Sequence, residues 1–253
     1  LVVLMGLGMH TAWRTQPVRP WARLFRIPAI GAVLVGIVLP LMFYGRTGLL
    51  LAVGCAAALW IIASSLIQPI RSAMKYEGTK PITRSALGMS VAHLGMGLFV
   101  LGVTVTSAFN IETDRALSPG ESIEVGHFEF EVRELRDVGG PNYSAIEAVV
   151  DIRRDGEYVA TVRPQKRQYL VQKNWMTEAG IHPTWNRDLF VALGDQLGNG
   201  AWSVRVQYKP LIRFIWFGAI IMALGGLIAV SDRRYRLKAS KAREAGRAAA
   251  ESA

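Results

Sequence analysis

At 253 residues, with 51% hydrophobic and 19% charged residues and a positive mean hydropathy, the chain is too apolar for an ordinary soluble domain and too charged to lie wholly in a membrane. The formal charge of +10 suggests a nucleic-acid binder, but the placement of the charges excludes that reading. Arg14, Arg19, Arg23 and Arg26, and then Arg71, Lys75, Lys80 and Arg84, separate apolar runs, and Arg233, Arg234, Arg236, Lys238, Lys241, Arg243 and Arg247 follow the last one; this is the positive-inside pattern of a membrane protein.

The chain opens on Leu1 with only half a spanning segment, residues 1–9, and no signal-peptide layout, so it reads as the C-terminal piece of something longer. Residues 10–27 form a basic loop containing Trp13, Trp21, Pro17 and Pro20, and His10 is an ordinary interfacial histidine beside it. Residues 27–44 cross the membrane, with Pro28 near the start and Pro40 near the end, where proline does least harm. A Gly45-Arg46-Thr47-Gly48 turn leads into a second crossing at 49–67 that ends at Gln68-Pro69. The lone Cys55 falls in this run, which rules out a disulfide framework, a paired redox motif and a cysteine zinc site, and leaves small-residue packing.

After the basic linker 71–84, residues 85–108 form a third full crossing that carries one ionisable residue, His93. About 20 apolar residues span a bilayer as a helix, so His93 falls inside the hydrocarbon layer, where an ionisable group points to function by default. Ala86, Ser90, His93 and Gly97 share a small-residue face that lets a helix or a flat cofactor approach. A neutral imidazole there suits haem iron; it also suits a plain hydrogen bond to a neighbouring helix, and the helix by itself does not choose.

From residue 110 to 209 polar and apolar residues alternate, clearly at 122–133, 145–152 and 158–162, with turn signals at Gly139-Gly140-Pro141 and Asp155-Gly156. Short strands and such turns predict a small antiparallel β sandwich or barrel. The segment carries 15 acidic and 12 basic residues, about −3, and the rest of the chain about +13, which puts the β domain on the outer side. His127, alternating with Phe128 and Phe130, is expected to face solvent, and His182 has no companion at metal-ligand spacing. Within 164–195 no nucleophile set, phosphate loop or acid/base pair can be assembled. Lys166, Arg167, Tyr169, Trp175, Glu178 and Asp188 are candidate partner-docking residues there, or equally a solvated rim. Residues 211–230 form the last crossing, with Trp216 near its outer end, and 231–253 are a basic, alanine-rich cytoplasmic tail suited to anionic headgroups. The fold class is therefore an α-helical polytopic membrane protein, with four full transmembrane helices and a truncated first one, carrying an inserted antiparallel β domain at 109–210.

The residues also carry a family pattern. Met89-Ser-Val-Ala-His93-Leu-Gly, Lys166-Arg-Gln-Tyr169, Thr177-Glu-Ala-Gly-Ile181, Asp188-Leu-Phe-Val-Ala-Leu-Gly194, Trp202-Ser-Val-Arg205-Val-Gln-Tyr-Lys209-Pro210, the 216–226 run and Ser231-Asp-Arg-Arg-Tyr-Arg236 occur in order over nearly the whole chain. Together they resemble the C-terminal part of the CcmF family, the haem lyase subunit of cytochrome c maturation; the nitrite-reductase-specific paralogue looks similar. The resemblance implies an inner-membrane protein with its β domain in the periplasm. Members of the family take haem from a periplasmic haem chaperone and join it to Cys-x-x-Cys-His of apocytochrome c. They also hold a haem b between two transmembrane histidines, of which His93 matches the second. The first ligand, the periplasmic haem-holding histidines and the tryptophan-rich loop belong upstream of Leu1, so this piece alone is not expected to catalyse ligation. Other maturation subunits, the haem chaperone, apocytochrome c and membrane lipid are the implied partners. A haem transporter subunit and a noncatalytic assembly module that docks maturation proteins are the alternative functions.

Overall fold

A computed structural model describes residues 2–10, 18–75, 81–198 and 200–232, with side chains in the second helix from Arg23 onward. Trp13, Arg14, Lys80 and the basic tail from Arg233 lie outside the described residues, as does the side chain of Arg19. The chain divides into two compact units, one of residues 1–104 with 214–253, the other of 105–213.

The first unit holds α1 (Val2–Gly8), α2 (Val18–Tyr44), α3 (Leu49–Ala73), most of α4 (Arg84–Phe109) and nearly all of α5 (Ile212–Val230). Apart from α1, each helix is long and apolar enough to cross a membrane. Much of their apolar surface faces outward, for example at Ile30, Leu34, Phe43, Leu50 and Leu227. That exposure is unfavourable in water and normal against acyl chains.

Two helix limits differ from those expected. The second helix starts at Val18, not at residue 27, so Pro28 sits in its interior. Phe25 and Ala32, on either side of Pro28, are buried with Trp60 and Ile61 of α3, packing that offsets the lost backbone bond. Helix α3 runs through Pro69 to Ala73 instead of stopping there. A proline this near a helix end removes a single donor, that of the Ser65 carbonyl, and Ser72 is put to use instead by accepting the Ile82 N–H at 3.0 Å.

Glycines set the spacing of α4 and α5. A Cβ at Gly95 would lie 2.6 Å from the Gly218 carbonyl oxygen; one at Gly225 would lie 2.6 Å from the Gly88 oxygen, and one at Gly102 would lie 2.9 Å from the Ile215 nitrogen. Gly88, Gly95 and Gly102 recur every seventh residue, as do Gly218 and Gly225, so backbone meets backbone along the crossing. On the opposite side of α4, Gly97 takes α3, where a Cβ would meet the Ala58 oxygen at 3.1 Å.

The second unit is a sandwich of ten antiparallel strands: β1 (Ile111–Leu117), β2 (Ser122–Val125), β3 (Phe128–Gly139), β4 (Tyr143–Arg154), β5 (Glu157–Val162), β6 (Gln165–Tyr169), β7 (Trp175–Glu178), β8 (Gly180–Pro183), β9 (Arg187–Gln196) and β10 (Trp202–Pro210). One sheet has the order β1-β10-β9-β8 and the other β2-β3-β4-β6-β7, with β5 also on β4. Between them lie Ile123, Val125, Phe128, Phe130, Val150, Ile152, Leu189, Val191 and Val204, all nearly solvent-free. The alternation expected over 122–133 is interrupted by the turn Gly126-His127 and by a bulge at Arg133, where the register steps from Val132 opposite Val150 to Glu134 opposite Val149. The extra residue reverses the inward parity, which is why Phe128, Phe130 and Val132 face the core before it and Leu135 after it.

Candidate functional site

His93 sits midway along α4, one helical turn beyond Met89. Its Nδ1 lies 2.8 Å from the Met89 carbonyl oxygen. A carbonyl can only accept, so Nδ1 carries the proton and the lone pair is on Nε2. For Nε2 no partner exists among the described residues. A ring with one nitrogen held by a backbone carbonyl is oriented, in the tautomer that an axial metal ligand requires. Of the face expected around it, Ser90 is buried and Gly97 packs closely on Ile62 and Ala58 of α3, so small residues on this side of α4 let a helix approach.

His10 belongs to the same unit. Its Nε2 bonds the Ser64 carbonyl oxygen at 2.9 Å, and its ring packs on Phe25 at 5.3 Å between centroids. It is thus a packed, hydrogen-bonded histidine and not a loosely interfacial one. No group of three or more His, Cys, Asp or Glu side chains able to hold a metal ion occurs among the described residues.

Of the six docking residues expected in the β unit, five gather and one stands apart. Lys166 Nζ pairs with Asp195 at 2.9 Å. Arg167 lies over the Tyr143 ring at 4.4 Å, donates from Nε to Gln165 Oε1 at 2.8 Å and pairs with Glu178 at 3.4 Å. Tyr169 meets Tyr143 edge to face at 6.0 Å. Trp175 opens the edge strand β7 with half its surface exposed, opposite Gln168. Asp188 instead starts β9, seven residues or about 23 Å along the strand from the Asp195 that holds Lys166. There it accepts from Arg213 Nε at 2.9 Å, at the foot of α5.

The sequence did not disclose the buried end of this network. Glu147 on β4 is almost fully covered and accepts from Gln165 Nε2 at 2.5 Å and Arg136 Nη2 at 2.6 Å. Burial works against its charge, but the Gln165 and Arg136 bonds outweigh it and hold the carboxyl below its ordinary range. Arg136, Glu147, Gln165, Arg167 and Glu178 therefore form one continuous relay from the sheet to the rim of β7. An acidic residue inside an otherwise alternating apolar strand was the available signal.

The other two histidines lie in the β unit. His127 is exposed in the β2–β3 turn rather than on a strand. His182 on β8 is held below its usual range, first by burial and then by the Arg187 charge, with Asp188 opposing.

Comparison with known proteins gives these features a setting. Residues 108–210 match the family described as the CcmF C-terminal beta-sandwich. The chain is 36% identical over 249 residues to the cytochrome c-type biogenesis protein CcmF of Pseudomonas aeruginosa, covering 97% of this chain and 38% of that protein. To CcmF of Escherichia coli K12 it is 33% identical over 238 residues, 94% of this chain and 36% of that protein. To the cytochrome c-type biogenesis protein NrfE of Haemophilus influenzae it is 33% identical over 177 residues, 70% of this chain and 26% of that protein. A solved structure, cytochrome c heme lyase CcmF, has the same fold, with a TM-score of 0.74 at 20% identity over 91% of this chain and 38% of that one. The chain thus spans well under half the length of these relatives.

Proposed function

Because this chain belongs to the CcmF family of cytochrome c-type biogenesis proteins and matches its C-terminal part, we propose that it serves cytochrome c maturation as that part of a haem lyase, holding haem b in the membrane through His93. The observation that carries the proposal is the Nδ1 contact to Met89, which leaves Nε2 of a membrane-buried imidazole as a free, oriented lone pair. Such a ligand fits haem: His93 Nε2 would hold the iron, and imidazole ligation would suit that iron to electron transfer. The chain's own residues do the positioning. Met89 fixes the ring tautomer, Gly97 and Ser90 keep the adjacent face small, and the α4–α5 glycine contacts make α4 a rigid support. Thioether formation itself is assigned to the whole protein, to which this chain contributes one axial ligand and the β unit.

The net negative charge of the β unit supports a periplasmic location, with residues 233–253 in the cytoplasm, and its β6–β7 hairpin would be the face for partner proteins. Lys166, Arg167, Tyr169, Trp175 and Glu178 cluster there, next to exposed Leu170 and Val171. Other maturation subunits, the haem chaperone and apocytochrome c are the partners this face would meet. Asp188 lies apart from that cluster, at the start of β9, where it accepts from Arg213.

The test is spectroscopic. The whole protein, purified from membranes, shows a reduced bis-His haem spectrum; His93→Ala removes or shifts it, while His10→Ala retains it. An unchanged spectrum in His93→Ala removes the assignment. Reporter fusions near Gly140 give periplasmic activity, and cytoplasmic activity there overturns the topology.

A further inference from the structure

The length of α5 leaves little freedom in where its first residue lies. Nineteen residues rise about 28 Å, which barely matches a hydrocarbon layer of about 30 Å. Both ends of the helix therefore sit at the two boundaries of that layer, and Leu211, immediately before it, lies at the boundary on the β-unit side.

Two contacts fasten the β8–β9 turn to this point. The Leu211 N–H donates to the Asn186 carbonyl oxygen at 2.8 Å, and Arg213 Nε donates to Asp188 at 2.9 Å. Within the turn, Thr184 Oγ1 donates to the Arg187 oxygen at 2.7 Å, and the Thr184 N–H donates to that oxygen at 2.8 Å. Leu211 itself takes φ +51°, a left-handed conformation that a non-glycine residue keeps only where its surroundings over-determine it. The turn is thus a rigid corner at the root of a membrane span, not a free loop. At its tip Trp185 is 71% exposed, with no ring or hydrogen-bond partner among the described residues.

An indole with an apolar body and one N–H donor prefers the headgroup and glycerol layer, which offers both environments. A cation is close to hand: Lys209 lies on the paired strand end opposite Asp188, whereas the Arg187 guanidinium is turned inward over the Phe128 ring at 4.2 Å, with Nη1 buried. We propose that Trp185 and its turn form an interfacial anchor that inserts into the lipid headgroup layer beside the start of α5, with Lys209 facing lipid phosphate. The anchor would fix how far the β unit stands from the bilayer, a property that neither the haem ligand nor the hairpin face supplies.

Val171 provides an internal control. It is 91% exposed and sits beyond the opposite end of the long β3–β4 pair, where Leu170 N–H bonds Asn142. That end is roughly 36 Å along the strands from Phe128, whose ring stacks on Tyr208 near the foot of α5. In a Cys55→Ala background, Trp185→Cys and Val171→Cys are each labelled with an environment-sensitive fluorophore in the full-length protein, reconstituted in phosphatidylglycerol and phosphatidylcholine nanodiscs. A headgroup spin-labelled lipid quenches the label at 185 several-fold more than at 171, and aqueous iodide does the reverse. Equal lipid quenching at the two positions, or iodide access at 185 matching that at 171, overturns the proposal. Asn186→Cys, which keeps the tryptophan, repeats the measurement should Trp185→Cys fail to fold. Shielding of 185 from both lipid and iodide also overturns it, because the turn is then covered by protein.

Discussion

The helical unit and the β unit solve the packing problem in opposite ways. In the β unit large side chains do the work: Phe130, Ile152, Leu189 and Leu193 are fully buried between two sheets, and removal of apolar area from water is the driving force. In the helical unit many large apolar residues face outward, and what lies between α4 and α5 is glycine. Lipid is as apolar as leucine, so burying leucine there gains little, and close backbone contact gains more. The same substitution should thus have different consequences in the two units, which makes the contrast testable.

The largest effect is expected in the β core. Phe130→Ala empties a large volume between the sheets and should cost about 3–5 kcal/mol, read as loss of the sandwich in thermal or denaturant unfolding of the β unit's signal. If the core could collapse onto the space, the cost would fall well below that range.

Next comes the glycine contact. Gly225→Ala drives a methyl group against the Gly88 oxygen and should cost about 1–3 kcal/mol, whereas Gly226→Ala, one residue on and with nothing near its Cβ, should be neutral or stabilise by up to about 1 kcal/mol. Detergent-resistant thermal unfolding of the two variants separates them, and equal shifts would show that α4 and α5 are not in backbone contact. A smaller loss is expected at the β-sheet surface. Arg136→Gln leaves the covered Glu147 carboxylate with Gln165 alone, at a cost of about 1–2 kcal/mol, after allowing for the partial exposure of the arginine.

The smallest effect concerns pH. Glu147 has a lowered folded pKa, so its contribution is present above the unfolded glutamate value and is lost as pH falls through the folded one. His182 is also lowered, so the unfolded chain binds the proton first, and stability declines as pH falls below the ordinary histidine range of about 6.5. Unfolding midpoints measured across this range should flatten between about pH 7 and 5 in His182→Gln, while the fall below about pH 4.5 persists and is reduced when Glu147 is also replaced.

Much of the plan was legible in the sequence because it rests on strong local signals. Spans of apolar residues, basic linkers and alternating strands announce themselves, and a lone histidine in an apolar run attracts suspicion at once. Helix ends were read less well. Prolines normally mark boundaries, yet Pro28 and Pro69 lie inside helices: packing of Phe25 and Ala32 on α3 offsets the missing donor at Pro28, and Pro69 sits one turn from the end of its helix. The docking set was read as one group from its place in the chain, but strand length carries Asp188 to the other end of the sandwich.

From the sequence alone came the residue types and their periodicities: spans, strands, the ionisable group within the lipid layer, and the family pattern. Those depend on each residue's own preference for water or hydrocarbon and on its immediate neighbours. Only the tertiary structure decided that Gly88, Gly95 and Gly102 meet α5 and not α3, that Glu147 is a buried carboxylate, and that Trp185 is fastened to the root of a span. Each of these depends on which segments distant in sequence come within hydrogen-bonding or van der Waals range, and no local preference encodes that.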